Sequence, residues 1–218
     1  MIAEYWALGP GSVTPPGRWF EFAQFVSARD HHTLDEDVEL FFVLGNAMLD
    51  ASIACWDDKR AYDSERPITA IHYLYAGKQI HAWGGPFQGT REIDGSDWLP
   101  YQEATVVTPA FPEFVSGHST FSAVGAEILR RWTGSERFDY SYTATTGSSL
   151  IEPGQTPREK VTLHWSTFFA AANQAGFSRR IGGIHFKDGD LAGRVTGELI
   201  ADEVWSKAQE YFGTSKEH

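Results

Sequence analysis

The stretch "FPEFVSGHSTFSAVGAEILRRW", residues Phe111 to Trp132, decides how this chain is read. In its second half Phe121, Val124, Ile128, Leu129 and Trp132 recur at helical spacing, so one face of a helix is apolar and turned to a core. The first half sets Ser116, Gly117 and His118 at the mouth of that helix. Taken singly these are bland: a serine N-cap, a permissive glycine and a surface histidine. Together they place a hydroxyl, an unobstructed backbone N–H and a titratable imidazole where the helix dipole favours an anion.

Outward from this helix the pattern stays helical. Thr14-Pro15-Pro16 opens a helix to about Ala28, because proline is tolerated in a first turn. Leu34 to about Lys59 carries so many apolar residues that it is expected to sit centrally in a bundle. A short helix follows Arg66-Pro67 and stops at Gly77. Residues Gly77 to Pro112 are rich in Gly, Pro and Trp without period and read as a long, packed loop of the kind that shapes a site. Gly134 to Pro157 reads as a second loop region, with a hairpin at "FDYSYTATTG". Two helices, about Arg158 to Ile184 and Asp188 to Phe212, close the chain. The fold expected is all-α, one helical-bundle domain over residues 1–218 with two long loop regions.

The totals narrow the function. With 218 residues, 42% of them hydrophobic, the chain can bury a large core. A net charge of -11 argues against nucleic acid or an anionic membrane as partner, so any anion site must be a local concentration of positive charge. Cys55 is the only cysteine, which excludes an intrachain disulfide and cysteine-pair zinc sites. The longest apolar run, Leu40 to Leu49, falls short of the roughly 18 to 20 residues that cross a bilayer. "MIAEYWALGPG" shows no export signal, so a soluble chain is expected and its compartment stays open.

Three short motifs carry chemistry: Lys59 with Arg66-Pro67 as K-x6-R-P, Ser116-Gly117-His118, and Ser178-Arg179 with His185 as S-R-x5-H. Each alone has an ordinary reading, as solvated helix-end charge, helix cap or dipole complement. In combination they resemble the signature of the vanadium-dependent haloperoxidase and type 2 phosphatidic-acid-phosphatase superfamily. The likeness is greatest to its soluble chloroperoxidase branch and spans roughly Glu4 to Trp205. "EYWALGPGSVTPPGRW" and "LDASIACWDDK" are similar to that branch as well.

The residue types suit a tetrahedral oxyanion, whose spread charge is best held by forked donors. The resemblance implies vanadate as cofactor, with phosphate or sulfate able to take the same site. Lys59, Arg66, Ser116, Gly117 and Arg179 would hold its equatorial oxygens, His185 would be the covalent ligand, and His118 the acid–base residue. A peroxidase of this kind uses hydrogen peroxide and a halide, Lys59 polarising the bound peroxide. A phosphatase would instead use His185 as nucleophile on a phosphate ester and His118 as general acid. Trp56 and Phe111 resemble halide-pocket residues of chloroperoxidases, which favours the haloperoxidase. The soluble phosphatase is the alternative, and a non-catalytic oxyanion-binding remnant the third reading.

Departures from the family pattern set further expectations. Val115 stands where relatives often carry proline. Gly189, flanked by Asp188 and Asp190, occupies the position of a carboxylate that orients the last histidine in the phosphatases. Leu8-Gly9 replace an aspartate that pairs with a site arginine, leaving Glu4 or Asp50 as substitutes. The chain corresponds to the second of the two helical bundles of soluble haloperoxidases, so uncovered apolar surface is expected to make it a homodimer or higher oligomer.

Overall fold

A computed structural model of the chain describes residues 1–213 except residue 10 and residues 105–107. Seven helices and two small antiparallel sheets are built: α1 (Ile2–Tyr5), α2 (Thr14–Asp30), α3 (Leu34–Tyr62), α4 (Pro67–Tyr75), β1 (Gln79–Trp83), β2 (Thr90–Asp94), α5 (Gly117–Thr133), β3 (Arg137–Ala144), β4 (Val161–Thr167), α6 (Phe168–Ile181) and α7 (Lys187–Tyr211). The bundle is as expected, but "all-α" is only approximate.

The middle of the bundle belongs to α5, not α3. Helix α5 packs against α2, α3, α6 and α7, and every residue from Ser119 to Leu129 is buried. Its start is defined by Ser116, whose side chain accepts from Ser119 N, and its end by Gly134 in the left-handed region. Helix α3 spends Leu40, Val43, Leu44, Ala47, Met48 and Ala51 on the core and leaves Val38, Phe42, Leu49, Ile53 and Trp56 exposed. The apolar residues on both sides of α3 suggested a central helix. Periodicity cannot tell a covered second face from an uncovered one. By length and composition the stretch Leu34–Tyr75 would also pass for a membrane span, which the short run Leu40 to Leu49 had not suggested.

The strands correct two boundaries. β3 lies within the segment expected to form a local hairpin, but its partner is β4, with Tyr140 opposite Trp165 and Ala144 opposite Val161. β4 takes the first third of what reads as one helix from Arg158 to Ile184; Thr167 caps the shortened α6 by accepting from Ala170 N. The alternating "VTLHWST" is a period-2 pattern that the helical pattern after it obscures. In the first loop region β1 and β2 form a second hairpin, Gln79 pairing with Asp94.

The β3–β4 ribbon pads the core with aromatic rings. Trp6, Phe22, Phe138, Tyr140 and Trp165 meet edge-to-face, tilted or stacked, and the Oε1 of Gln174 accepts from the indoles of both Trp6 and Trp165 at 3.1 and 3.0 Å. One half-buried amide thereby satisfies two indole donors that would otherwise each cost desolvation. This ribbon also fixes the N-terminal segment, whose Trp6 carbonyl reaches the site described below.

Helix α7 approaches α5 along a seam of glycines four residues apart. A Cβ at Gly197 would lie 2.4 Å from the Thr120 carbonyl, and one at Gly193 2.7 Å from the Ser116 carbonyl. Each helical glycine costs about 1 kcal/mol relative to alanine in an isolated helix, so α7 is weakened locally to let the backbones meet. Gly197→Ala is expected to destabilise the protein by about 1 to 3 kcal/mol through overpacking. Chemical denaturation checks it: an unchanged or raised midpoint would show that the seam has slack.

Candidate active site

All the motif residues gather where the N-terminus of α5, the end of α3 and the α6–α7 turn meet. Arg66 is the N-cap of α4, Arg179 lies in the last turn of α6, and His185 follows that helix after the Gly182-Gly183 turn. Burial is deep: Lys59 and Arg179 are each 1% exposed and Ser116 is fully buried. Three cationic side chains in one dry place are costly unless something anionic compensates them.

His185 is held from both sides. Its Nδ1 lies 2.7 Å from Glu113 Oε1, and its Nε2 lies 3.0 Å from Arg66 Nη1. A guanidinium can only donate and a carboxylate only accept. Both contacts therefore specify the same tautomer, with the proton on Nδ1 and a lone pair on Nε2. Burial, reinforced by Arg66, Lys59 and Arg179, holds this imidazole neutral by pushing its pKa well below the usual value. A neutral histidine with a directed Nε2 lone pair is what a metal ligand or a nucleophile requires.

Glu113 is the residue that sequence reasoning missed. Its Oε1 also accepts from Phe186 N at 3.0 Å, and burial raises its pKa from the carboxylate norm. Neither acid beside Gly189 does this work. Asp190 is fully buried, but it binds Ser119 Oγ at 2.8 Å and the Arg194 guanidinium. Gly189 itself is explained by Glu113, because a Cβ there would fall 2.2 Å from Glu113 Oε1. The signal available in the sequence was a lone acid inside an otherwise apolar "FPEFV" beside the site.

Among the described residues Arg179 has no carboxylate partner. Its Nη1 donates to the Trp6 carbonyl at 2.8 Å, while its Nε is buried without a partner among the described residues. Glu4 is occupied elsewhere, accepting from Leu150 N, and Asp50 is exposed on the outside of α3. Neither is the expected counter-charge. Burial, with Arg66 nearby, pushes the Arg179 pKa down to about 9, and burial pushes that of Arg66 down to about 10. Arg66 donates from Nε to the Phe111 carbonyl and from Nη1 to that of Ile184; its Nη2 is buried and unpartnered among the described residues.

His118 is the second residue of α5 and is half-buried; desolvation of the ring and then Arg179 hold its pKa well below the usual value, with backbone hydrogen bonds to Ala7 and Trp6 opposing. Its Nε2 has no partner among the described residues. Gly117 sits at the helix start against Trp56, Phe121 and Cys55, leaving its N–H at the positive end of the dipole.

Lys59 behaves differently from the other cations. Its ammonium binds the carbonyls of Pro112 at 2.8 Å and Glu113 at 3.1 Å, and also that of Val115. Its three N–H bonds are thus all used to clamp the loop that carries Glu113 and Ser116. Burial lowers its pKa to about 8. Trp56 and Phe111 stand together, 5.2 Å between ring centroids, and Lys59 Nζ is 5.2 Å from the Phe111 centroid. His118, Arg179 and His185 share with these two rings the lining of one cavity of about 940 Å³.

A family model described as "VCPO second helical-bundle domain" matches residues 39–214. The chain belongs to this family. Solved relatives agree. A holo-type bacterial vanadium-dependent chloroperoxidase superposes with a TM-score of 0.85 at 25% identity, covering 96% of this chain and 43% of its own. An apo-type bacterial vanadium-dependent chloroperoxidase gives 0.73 at 28% identity over 80% of this chain and 36% of its own. A bacterial vanadium-dependent iodoperoxidase gives 0.70 at 25% identity over 94% and 43%. No curated protein matches. The chain thus spans less than half the length of these solved relatives, and within the family it corresponds to the second bundle.

If Glu113 fixes the His185 tautomer, Glu113→Ala should leave a buried Nδ1–H unsatisfied, at a cost of about 1 to 3 kcal/mol. In ¹⁵N NMR the wild-type ring should show protonated Nδ1 and bare Nε2, and the variant should lose that preference. An unchanged tautomer in the variant would remove Glu113 from this role.

Proposed function

We propose that this domain is the catalytic unit of a vanadium-dependent haloperoxidase, oxidising halide with hydrogen peroxide. The observation that carries this reading is a set of buried, unpartnered polar atoms beside one oriented imidazole. Among the described residues Arg66 Nη2, Arg179 Nε and His118 Nε2 have no partner, and the one carboxylate in hydrogen-bond contact with the site residues is already engaged by His185 and Phe186. The two orphaned arginine donors fit a tetrahedral oxyanion better than water, because the anion neutralises the buried cations as well as pairing them.

The donor set suits vanadate. His185 Nε2 would hold it, with Arg66, Arg179, Gly117 N–H and Ser116 Oγ–H as the oxygen cradle. Vanadate, when bound, supplies the Lewis acidity that activates hydrogen peroxide toward a halide. The protein's own contribution is positional. Glu113 keeps Nε2 deprotonated, and the Arg179 and Arg66 charges hold the anion. His118, neutral at pH 7, is able to take and return a proton at Nε2. Lys59 contributes charge and locks the 112–116 loop. Trp56 and Phe111 offer an apolar wall that lowers the cost of stripping water from a halide.

A soluble phosphatase is the second reading, and Glu113 favours it. The lack of an orienting carboxylate after His185 had counted against a nucleophilic histidine, and Glu113 supplies one from a different segment. The two readings part in one assay. Protein reconstituted with orthovanadate should brominate a dye in the presence of peroxide, and vanadate-free protein should not hydrolyse phosphate esters. Hydrolysis without bromination would reverse the choice. His185→Ala should lose vanadate on gel filtration, whereas His118→Ala should keep it and lose turnover by about 10²- to 10⁴-fold. Equal loss of vanadate from both would exchange their roles.

The exposed residues Val38, Phe42, Leu49 and Ile53 of α3, with Val195 and Leu199 of α7, support self-association of this chain. Sedimentation velocity should give a species larger than a monomer at micromolar concentration; a single monomeric boundary would refute that.

A further inference from the structure

Trp6 holds two site residues through its backbone, and Trp6 is itself held from outside the site. Among the described residues its carbonyl is the one hydrogen-bond acceptor of Arg179, 2.8 Å from Nη1. His118 uses the same stretch of chain. Its ring is hydrogen-bonded to the backbone of Trp6 and Ala7 in the sense that favours a protonated ring nitrogen, so the acceptors are carbonyls. Its Nε2 has no partner among the described residues, which leaves Nδ1 as the donor. A neutral His118 then keeps its lone pair on Nε2, and His118 lines the cavity.

Little in the N-terminal segment fixes that carbonyl locally. Helix α1 has four residues, far fewer than a helix needs to persist unaided in water, and Trp6 lies just past its end. The indole supplies the anchor. It is buried and donates from Nε1 to Gln174 Oε1 at 3.1 Å, while Trp165 donates to the same oxygen at 3.0 Å. Gln174 and Arg179 both belong to α6, separated by about 7.5 Å of helical rise. One helix thus grips Trp6 at both ends, its side chain through Gln174 and its carbonyl through Arg179.

We propose that Gln174 is a positioning residue of the anion cradle. By fixing the Trp6 indole it sets the Trp6 carbonyl, and through it the direction of the Arg179 guanidinium and the tautomer of His118. This rests on the cradle reading above, whichever chemistry the cradle serves. Gln174 acts through the Trp6 main chain, which takes the place of a carboxylate in orienting Arg179. If that carbonyl shifts, the guanidinium loses its anchor, and a bound oxyanion loses a donor held in one direction.

Four variants test it. Gln174→Met removes the shared acceptor at similar volume, and Trp6→Phe breaks the same link from the indole side. Gln174→Glu keeps an acceptor oxygen in place. Ser122→Ala takes the acceptor from a different buried indole, that of Trp19 at 3.1 Å, and controls for lost stability alone. In vanadate-free protein, ¹⁵N NMR should find His118 protonated on Nδ1 in the wild type, Gln174→Glu and Ser122→Ala. Gln174→Met and Trp6→Phe should show mixed tautomers. Calorimetric titration with orthovanadate should give binding weakened at least about tenfold in those two, and within about threefold of wild type in the others. Wild-type tautomer and affinity in both Gln174→Met and Trp6→Phe overturn the positioning role, as does equal impairment in Ser122→Ala. A wild-type protein that takes up no orthovanadate overturns the cradle reading, and the His118 spectra still decide whether Gln174 sets the tautomer.

Discussion

The close approach of α7 to α5 is the constraint on which the site depends. Gly189, Gly193 and Gly197 remove the side chains that would hold the helices apart. The Gly189 carbonyl then accepts from Ser116 N at 2.9 Å, and Asp190 reaches Ser119 in the first turn of α5. The N-terminus of α5 is therefore fixed by α7 rather than by its own cap alone. Glu113 uses the space above Gly189 to reach His185. A site made of segments more than a hundred residues apart needs this tolerance, since small displacements of an oriented group are costly to catalysis.

Electrostatically the site is unbalanced by design of its surroundings. The chain is strongly acidic overall, yet Lys59, Arg66 and Arg179 are buried together, with the Glu113 carboxylate acting on Lys59 and Arg66. Burial lowers the pKa of each of the three, which is the signature of cations deprived of water. Backbone carbonyls take up part of the deficit: three on Lys59, two on Arg66 and one on Arg179. Those bonds position the cations but do not neutralise them, so the remaining field is available to a bound anion. The neutral histidines follow from the same field, because protonating either would add a charge to an uncompensated set.

Division of labour among the cations also became visible. Lys59 and Arg179 would look equivalent as members of an anion cradle. One has every N–H engaged by the loop it secures, and the other keeps a buried Nε free beside the cavity. The same contrast separates Asp190 from Glu113: both are buried acids near His185, but one braces helices and the other orients the imidazole.

Much was legible in the sequence because it depends on local rules. Helix starts at Thr14-Pro15 and Leu34, the apolar face of α5, and the three short motifs are set by nearest-neighbour chemistry and spacing. The convergence of Lys59, Arg66, Ser116, Gly117, His118, Arg179 and His185 on one place was legible through resemblance. What tertiary structure alone decided involves choices between distant partners. β4 could have continued a helix until β3 offered it a ladder. Helix α3 has two apolar sides, and only packing determined which one the core takes. Glu113 is one acid among many until α7 presents a glycine beneath it, for contact between residues 72 apart in sequence leaves no periodicity or spacing to read.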